Sequence, residues 1–334
     1  MAISGPNETG KTNLLEAISL LAPGRGLRRA TLPEMARADG AGGFAISADL
    51  DVGSGDPVKI GTGIAPGTAR RTVRINGANK PANELSEWLS VLWLTPAMDR
   101  LFTGPAADRR RFLDRLTLAL YPGHAQAASR YEAAMRERNR LLQDGRRNDY
   151  WLGAVEIEMG KYGSLVSGAR AQAVRSLQAA LAAQQGPFPR AEIELDGYVA
   201  LDPEDLSSAI GASRPEDFRA GRTLVGPHRD DLIVRHAEKD QPAERASTGE
   251  QKALLTGLVF AHARLVAEET GRRPILLLDE ALAHLDESRR AELIALLAGL
   301  GGQVWMTGTD ARLFDSLPAD AAHFETGEGG LRQR

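Results

Sequence analysis

The chain has 334 residues, 43% of them hydrophobic, a formal net charge of -3 and no cysteine. That is enough apolar material for one large domain or two modest ones. The absence of thiols excludes disulfides, zinc–thiolate sites and cysteine nucleophiles, and suits a reducing cytoplasm. A near-neutral balance argues against wholesale nucleic-acid binding, although a local basic face is enough to hold phosphates. No run of about 18 apolar residues predicts a membrane span.

The first landmark stands at the N-terminus. Gly5-Pro6-Asn7-Glu8-Thr9-Gly10-Lys11-Thr12 fits G-x-x-x-x-G-K-[ST], the phosphate-binding loop, and is no secretory signal. Glycines let backbone N–H groups approach phosphate oxygens, and the helix that follows adds a favourable dipole. Lys11 would neutralise the β- and γ-phosphates, and the Thr12 hydroxyl would bind Mg²⁺. Such a loop normally leaves a buried strand, yet only Met1 to Ser4 precede it. "TNLLEAISLLAPG" predicts a helix, with Leu14, Leu15, Ile18 and Leu21 on one face and Pro23-Gly24 as its stop. "FAISADLDV", "VKIGTG" and "RRTVRINGANK" predict short strands, with Asn76-Gly77 as a tight turn. "WLSVLWLTP" predicts a further apolar strand ended by Pro96.

From about Pro105 the text becomes rich in Ala, Leu and Arg and predicts several helices, broken near Pro122-Gly123 and Gly145. Between Asp99 and Arg175 there are 14 Lys/Arg against 9 Asp/Glu, a basic stretch in a slightly acidic chain. It reads either as a solvated helical surface or as a face for DNA phosphates, with Arg109, Arg110, Arg111, Arg136, Arg138 and Arg140 as the candidate contacts. "AEIELDGYV" predicts a strand and "DPEDLSSAI" a short capped helix. From "TLVGPHRDDLIV" onward β and α alternate, which with a phosphate loop implies a mostly parallel sheet.

Two later segments carry chemistry. In "ILLLDE", four apolar residues predict a buried parallel strand that ends on Asp279, placed to hold Mg²⁺, and Glu280, placed to orient or deprotonate an attacking water. In "ASTGEQKALLTGLVFAHARL", Ser247, Thr248 and Gly249 open a long helix whose N-terminus is suited to an anion. An ordinary N-cap by Ser247 or Thr248 is the simpler reading of that segment alone.

The order of these parts (phosphate loop, long insertion, S-T-G-E-Q-K helix, "LLLDE", "LAHLD") resembles that of the ATP-binding-cassette ATPases. The resemblance implies an α/β P-loop fold of cassette type, with a mixed, mainly parallel sheet and an inserted helical lobe. It implies that Ser247, Thr248 and Gly249 meet the γ-phosphate held by a second subunit, and that Asp286 lies in the loop crossing between subunits. Together "GPNETGKTNLLEAI", "RRRFLDR", "VGPHRDDL", "STGEQKALL" and "LLLDEALAHLD" resemble the RecF family of DNA replication and repair proteins, from Gly5 to about Asp310. That resemblance implies ATP and Mg²⁺ as ligands, with Gly5 to Asn13 and Asp279 around the nucleotide. It further implies an ATP-dependent homodimer on single-strand/double-strand DNA junctions, weak ATP hydrolysis, and RecR and RecO as partners in loading recombinase at gaps. The insertion of about a hundred residues is too short for the coiled coil of an SMC head.

The expected organisation is a head made of residues 1–104 and 222–334, with a helical lobe of 105–221. Some text departs from the family pattern. The twenty-five or so further residues with which the family's chains begin are not in this sequence, which reads either as an internal start codon or as a true truncation; a true truncation predicts unpaired sheet edges and a poorly anchored phosphate loop. Glu8 and Thr9 stand where Gly and Ala are common. "WLTPAMDRLF" offers no metal-contacting Gln, and Thr307 or Thr309 stands near the place of the switch histidine. His228 and His284 are read as structural, and Arg25, Arg28 and Arg29 as arginines that could reach phosphates. A transporter ATPase subunit and a non-catalytic scaffold are the rival readings.

Overall fold

A computed structural model describes residues 1–53, 55–144, 149–184, 186–197, 202–283, 287–327 and 330–334. In chain order the first elements are β1 (Ala2–Ser4), α1 (Lys11–Ser19), β2 (Phe44–Leu50), β3 (Val58–Ile64), β4 (Thr72–Ile75), β5 (Ala78–Lys80) and β6 (Val91–Leu94). There follow α2 (Ala106–Leu120), α3 (His124–Gln143), α4 (Asp149–Ala183), β7 (Ala191–Asp196), α5 (Pro203–Ala212), α6 (Arg214–Ala220), β8 (Asp231–His236) and β9 (Gln241–Pro242). The last are α7 (Thr248–Thr270), β10 (Ile275–Leu278), α8 (Glu287–Leu300), β11 (Val304–Gly308), β12 (His323–Gly327) and β13 (Gly330–Gln333). They fall into two compact units, Met1–Met98 with Val266–Arg334, and Asp99–Leu265.

The first unit holds a six-stranded sheet in the order β13-β12-β1-β11-β10-β6, parallel except for β13. Although only three residues long, β1 lies inside this sheet. Ile3 pairs with Thr307 on one side and Phe324 on the other, and Ala2, Ile3 and Ser4 are all buried. The short strand ahead of the loop is therefore paired along both edges. A second, antiparallel sheet runs β2-β3-β4-β5. Its last hairpin turns on Asn76 (φ 49°) and Gly77 (φ 81°), the doubly left-handed turn that Asn-Gly favours. Leu15 and Leu21, from α1 and just beyond it, pack with Val58, Ile60, Val73, Ile75, Val91 and Leu277, so the core joins both sheets to the helix that carries the loop. Residues after Asp310 carried no predicted element, yet they form the β12–β13 hairpin.

The second unit is helical with one small antiparallel sheet, β7-β8-β9. Ala127, Tyr131 and Ala134 of α3 pack on Met159 and Val166 of α4 and on Leu206 and Ile210 of α5. The Asp202 side chain caps α5 by accepting from the N–H groups of Glu204 and Asp205. Residues 222–265, expected with the head, fall in this unit: β8 pairs along its whole length with β7, and α2 is tied to it through Arg109.

Candidate nucleotide site

In the first unit, β1 delivers the chain into the loop and α1 receives it. Three loop residues adopt left-handed backbone: Gly5 (φ 148°), Glu8 (φ 67°) and Gly10 (φ 92°), the last serving as N-cap of α1. Such alternation curls the backbone so that successive N–H groups face one concavity, which is the requirement for cradling phosphate. Gly5 permits a close approach that no side chain could share: a Cβ there would lie 2.2 Å from the Thr326 hydroxyl of β12. That hydroxyl also meets Thr9 Oγ1 at 2.6 Å and lies 3.2 Å from the Ser4 carbonyl. Thr9 in turn donates to the Pro6 carbonyl at 2.9 Å when its proton points there. The loop is thus stitched to the sheet on one side.

Lys11 is buried, and its ammonium donates to the carbonyls of Gly5 and Pro6, each at 2.6 Å. The cation spans the loop from within and stands ready to exchange those carbonyls for phosphate oxygens. Pro6, Asn7, Glu8 and Asn13 are exposed, and Arg28 bonds the Asn13 amide oxygen. Arg28 also faces Glu16 at 3.8 Å.

The second half of the site comes from the far end of the sequence. β10 ends on Asp279, which is nearly buried; its Oδ1 accepts from Thr12 at 3.2 Å and from Thr307 at 2.7 Å. Glu280 follows in left-handed backbone (φ 53°), its N–H donating to Thr307 Oγ1 at 3.1 Å. The structure therefore joins Thr12, next to Lys11, to Asp279, and adds Thr307, which links Asp279 to the Glu280 backbone. Of the two threonines near the expected switch position, Thr307 is buried and in the network while Thr309 is exposed. A hydroxyl and a carboxylate within 3.2 Å form an all-oxygen pair of the kind that suits Mg²⁺.

The second unit holds the S-T-G-E-Q-K turn. Ser247 and Glu250 form a reciprocal capping box: Ser247 N–H and Oγ–H both donate to Glu250 Oε2 at 3.0 Å, and Glu250 N–H faces Ser247 Oγ at 3.4 Å. Lys239 pairs with the same carboxylate and, with Ser247, holds it well below the usual range, at about 2. Ser247, Thr248 and Gly249 are exposed. Asp286 and His284 lie outside the described residues.

The basic stretch divides. Arg138 is a correction: it is 0% exposed, bonded to Glu156, Asp217, Thr223 and the Ile210 carbonyl, and cannot reach DNA in this fold. Arg109 makes a two-pronged pair with Asp231 (2.7 and 2.6 Å) and Arg110 donates to the Asp230 carbonyl at 2.8 Å, so both are engaged with the "VGPHRDDL" segment. Arg111 pairs with Asp108, Arg136 with Glu132 and Arg140 with Glu137, all on exposed surface. Within the same segment the Thr223 carbonyl can only accept, so His228 donates from Nε2 (3.1 Å) and accepts the Tyr131 hydroxyl at Nδ1 (2.7 Å). Arg170 of α4 bridges Asp114 and Asp230. His228 is tied into the fold by its two bonds; Asp114 belongs to "RRRFLDR", while Tyr131 and Arg170 lie in none of the quoted motifs.

Comparison with known proteins agrees with this fold. The family described as RecF/RecN/SMC N terminal domain matches residues 1–320. The DNA replication and repair protein RecF of Mesorhizobium japonicum is 55% identical over 98% of this chain and 90% of its own length. That of Brucella suis is 51% identical over 99% and 89%. Among solved structures, the recombination mediator protein RecF with ATPrS in the RecFOR pathway superposes with a TM-score of 0.84 at 23% identity, covering 99% of this chain and 91% of that one. An Smc head from Pyrococcus furiosus, bound to the C-terminal domain of ScpA, gives 0.52 at 16% identity, over 100% and 89%.

Proposed function

The chain belongs to the RecF family of DNA replication and repair proteins, and from that premise we infer that it is an ATP-gated DNA-binding ATPase of recombinational repair. The observation that carries the reading is the meeting of Lys11, Thr12, Asp279 and Glu280 at the mouth of one parallel sheet. In this reading Gly5 to Asn13 wrap the triphosphate, and Lys11 leaves the Gly5 and Pro6 carbonyls for its β- and γ-oxygens. Thr12 and Asp279 would hold Mg²⁺, which when bound neutralises charge building on those oxygens. Glu280 orients the attacking water and takes its proton.

Ser247, Thr248, Gly249 and Asp286 of a second copy complete the site, so that ATP joins two chains and hydrolysis releases them. For function, residues 1–104 and 222–334 act as the head and 105–221 as the inserted lobe. Exposed Arg111, Arg136 and Arg140 are the remaining proposed DNA contacts. Gapped duplex is the proposed DNA ligand, and RecR- and RecO-type mediators the proposed partners. The solved RecF structure with ATPrS, in the RecFOR pathway, supports that context. None of the described helices is long and apolar enough to cross a membrane.

The test is fluorescence anisotropy of a gapped duplex with Glu280→Gln, with and without ATP and Mg²⁺. Saturable binding that needs ATP and disappears in Lys11→Ala is the expected result. Binding indifferent to nucleotide, or none in any nucleotide state, would overturn the gating.

A further inference from the structure

We propose that Thr307 is the positioning residue of this site, a single hydroxyl that sets the Asp279 carboxylate and the Glu280 backbone in register with each other. The inference rests on the ATPase reading above and adds to it a residue outside the phosphate loop and the "LLLDE" strand.

A threonine hydroxyl has one proton and two lone pairs. A carboxylate can only accept and a backbone N–H can only donate, so both bonds have a fixed direction. Thr307 gives its proton to Asp279 Oδ1 at 2.7 Å and takes the Glu280 N–H at 3.1 Å. It cannot rotate to improve one bond without breaking the other. Thr307 is 1% exposed and held in β11, which pairs with β1 through Ile3 and with β10 through Leu276, Leu277 and Leu278. The hydroxyl is therefore as rigidly placed as the sheet itself.

What it holds is not relaxed by default. Glu280 is a non-glycine residue at φ 53°, a region that the clash of Cβ with the backbone carbonyl disfavours. Such strain persists where surrounding bonds over-determine it. The N–H bonded to Thr307 is the peptide group on which that turn pivots. Asp279 Oδ1 also receives Thr12, so one oxygen links the loop threonine, the metal-facing carboxylate and, through Thr307, the water-facing glutamate. Valine at 307 keeps the shape and removes both bonds; serine keeps both.

Thr307→Val and Thr307→Ser in the full chain decide the matter by two readouts. One is steady-state ATP hydrolysis with gapped DNA; the other is the Mg²⁺ concentration needed for half-maximal binding of a fluorescent ATP analogue. With valine, kcat should fall about 10- to 100-fold, with KM for ATP within about threefold, and the Mg²⁺ midpoint should rise about threefold or more; serine should restore both. Should the valine variant fail to fold, Thr307→Ala against Thr307→Ser makes the same comparison. A hydroxyl-less variant within about twofold of the parent in kcat and Mg²⁺ midpoint would overturn the proposal. So would a loss that serine does not restore. A parent chain that neither binds nor hydrolyses ATP would instead overturn the ATPase reading, and this inference with it.

Discussion

Arg136, Arg138 and Arg140 stand in one short run, and in the sequence they look equivalent. On α3 they are not. Residues 136 and 140 are one turn apart and share the exposed face, while 138 continues the buried stripe of Ala127, Tyr131, Ala134 and Leu142. That period was present in the sequence; composition drew attention to charge instead, and the stripe's one arginine was counted with the surface. Its carboxylate partners could not be read, because Glu156 and Asp217 come from α4 and α6. Removing a cation from a buried ion cluster leaves uncompensated carboxylates. Arg138→Ala should therefore lower stability by about 3–5 kcal/mol in urea unfolding. Arg140→Ala, on an exposed pair, should leave the urea midpoint unchanged.

At the scale of elements, the phosphate loop was legible because its chemistry is local: glycine spacing, a lysine, a hydroxyl, a helix. Its support was not. β12 reads as "HFETG", with no apolar alternation, and becomes a strand between two edges, β1 on one side and β13 on the other. The short "MAIS" is held for the same reason, by neighbours on both sides. Gly5 is where loop and support touch. Gly5→Ala would drive a Cβ into the Thr326 hydroxyl and carbonyl, 2.2 and 2.7 Å away, at a φ that alanine avoids. The expected outcome is a lower melting temperature and a smaller upward shift on adding ATP and Mg²⁺, measured side by side with the parent in a thermal melt. An undiminished ATP shift would mean that the loop finds its shape without β12.

For the molecule as a whole, acid should be the weak flank. His228 is pushed down to about 4, chiefly by burial and further by Arg229 and Arg110; burial takes His262 to about 3. Both stay neutral in the fold at a pH where the unfolded chain, with an ordinary value near 6.5, binds protons. The unfolded state thus gains protons first as pH falls. Stability is full above about 6.5 and declines towards about 4 and below. Urea midpoints measured from pH 7.5 to 4 should fall through that window, and His228→Gln should flatten the fall. Motif order announced the family and most elements. The division into units followed instead from β7–β8 pairing, which no motif encodes.

The central place of β1 also bears on how the protein comes to be. Ile3 pairs with Thr307 and Phe324 across roughly 300 residues of chain, about as non-local as a contact here can be. During synthesis the phosphate loop emerges early and must wait, without its flanking strands, until β11 and β12 leave the ribosome. The contiguous Asp99–Leu265 unit is free to form in that interval. A supported phosphate loop then waits on the closing of the whole sheet. ATP can hold the assembled sheet by mass action once it exists, but it has no site from which to hurry the closure that makes it.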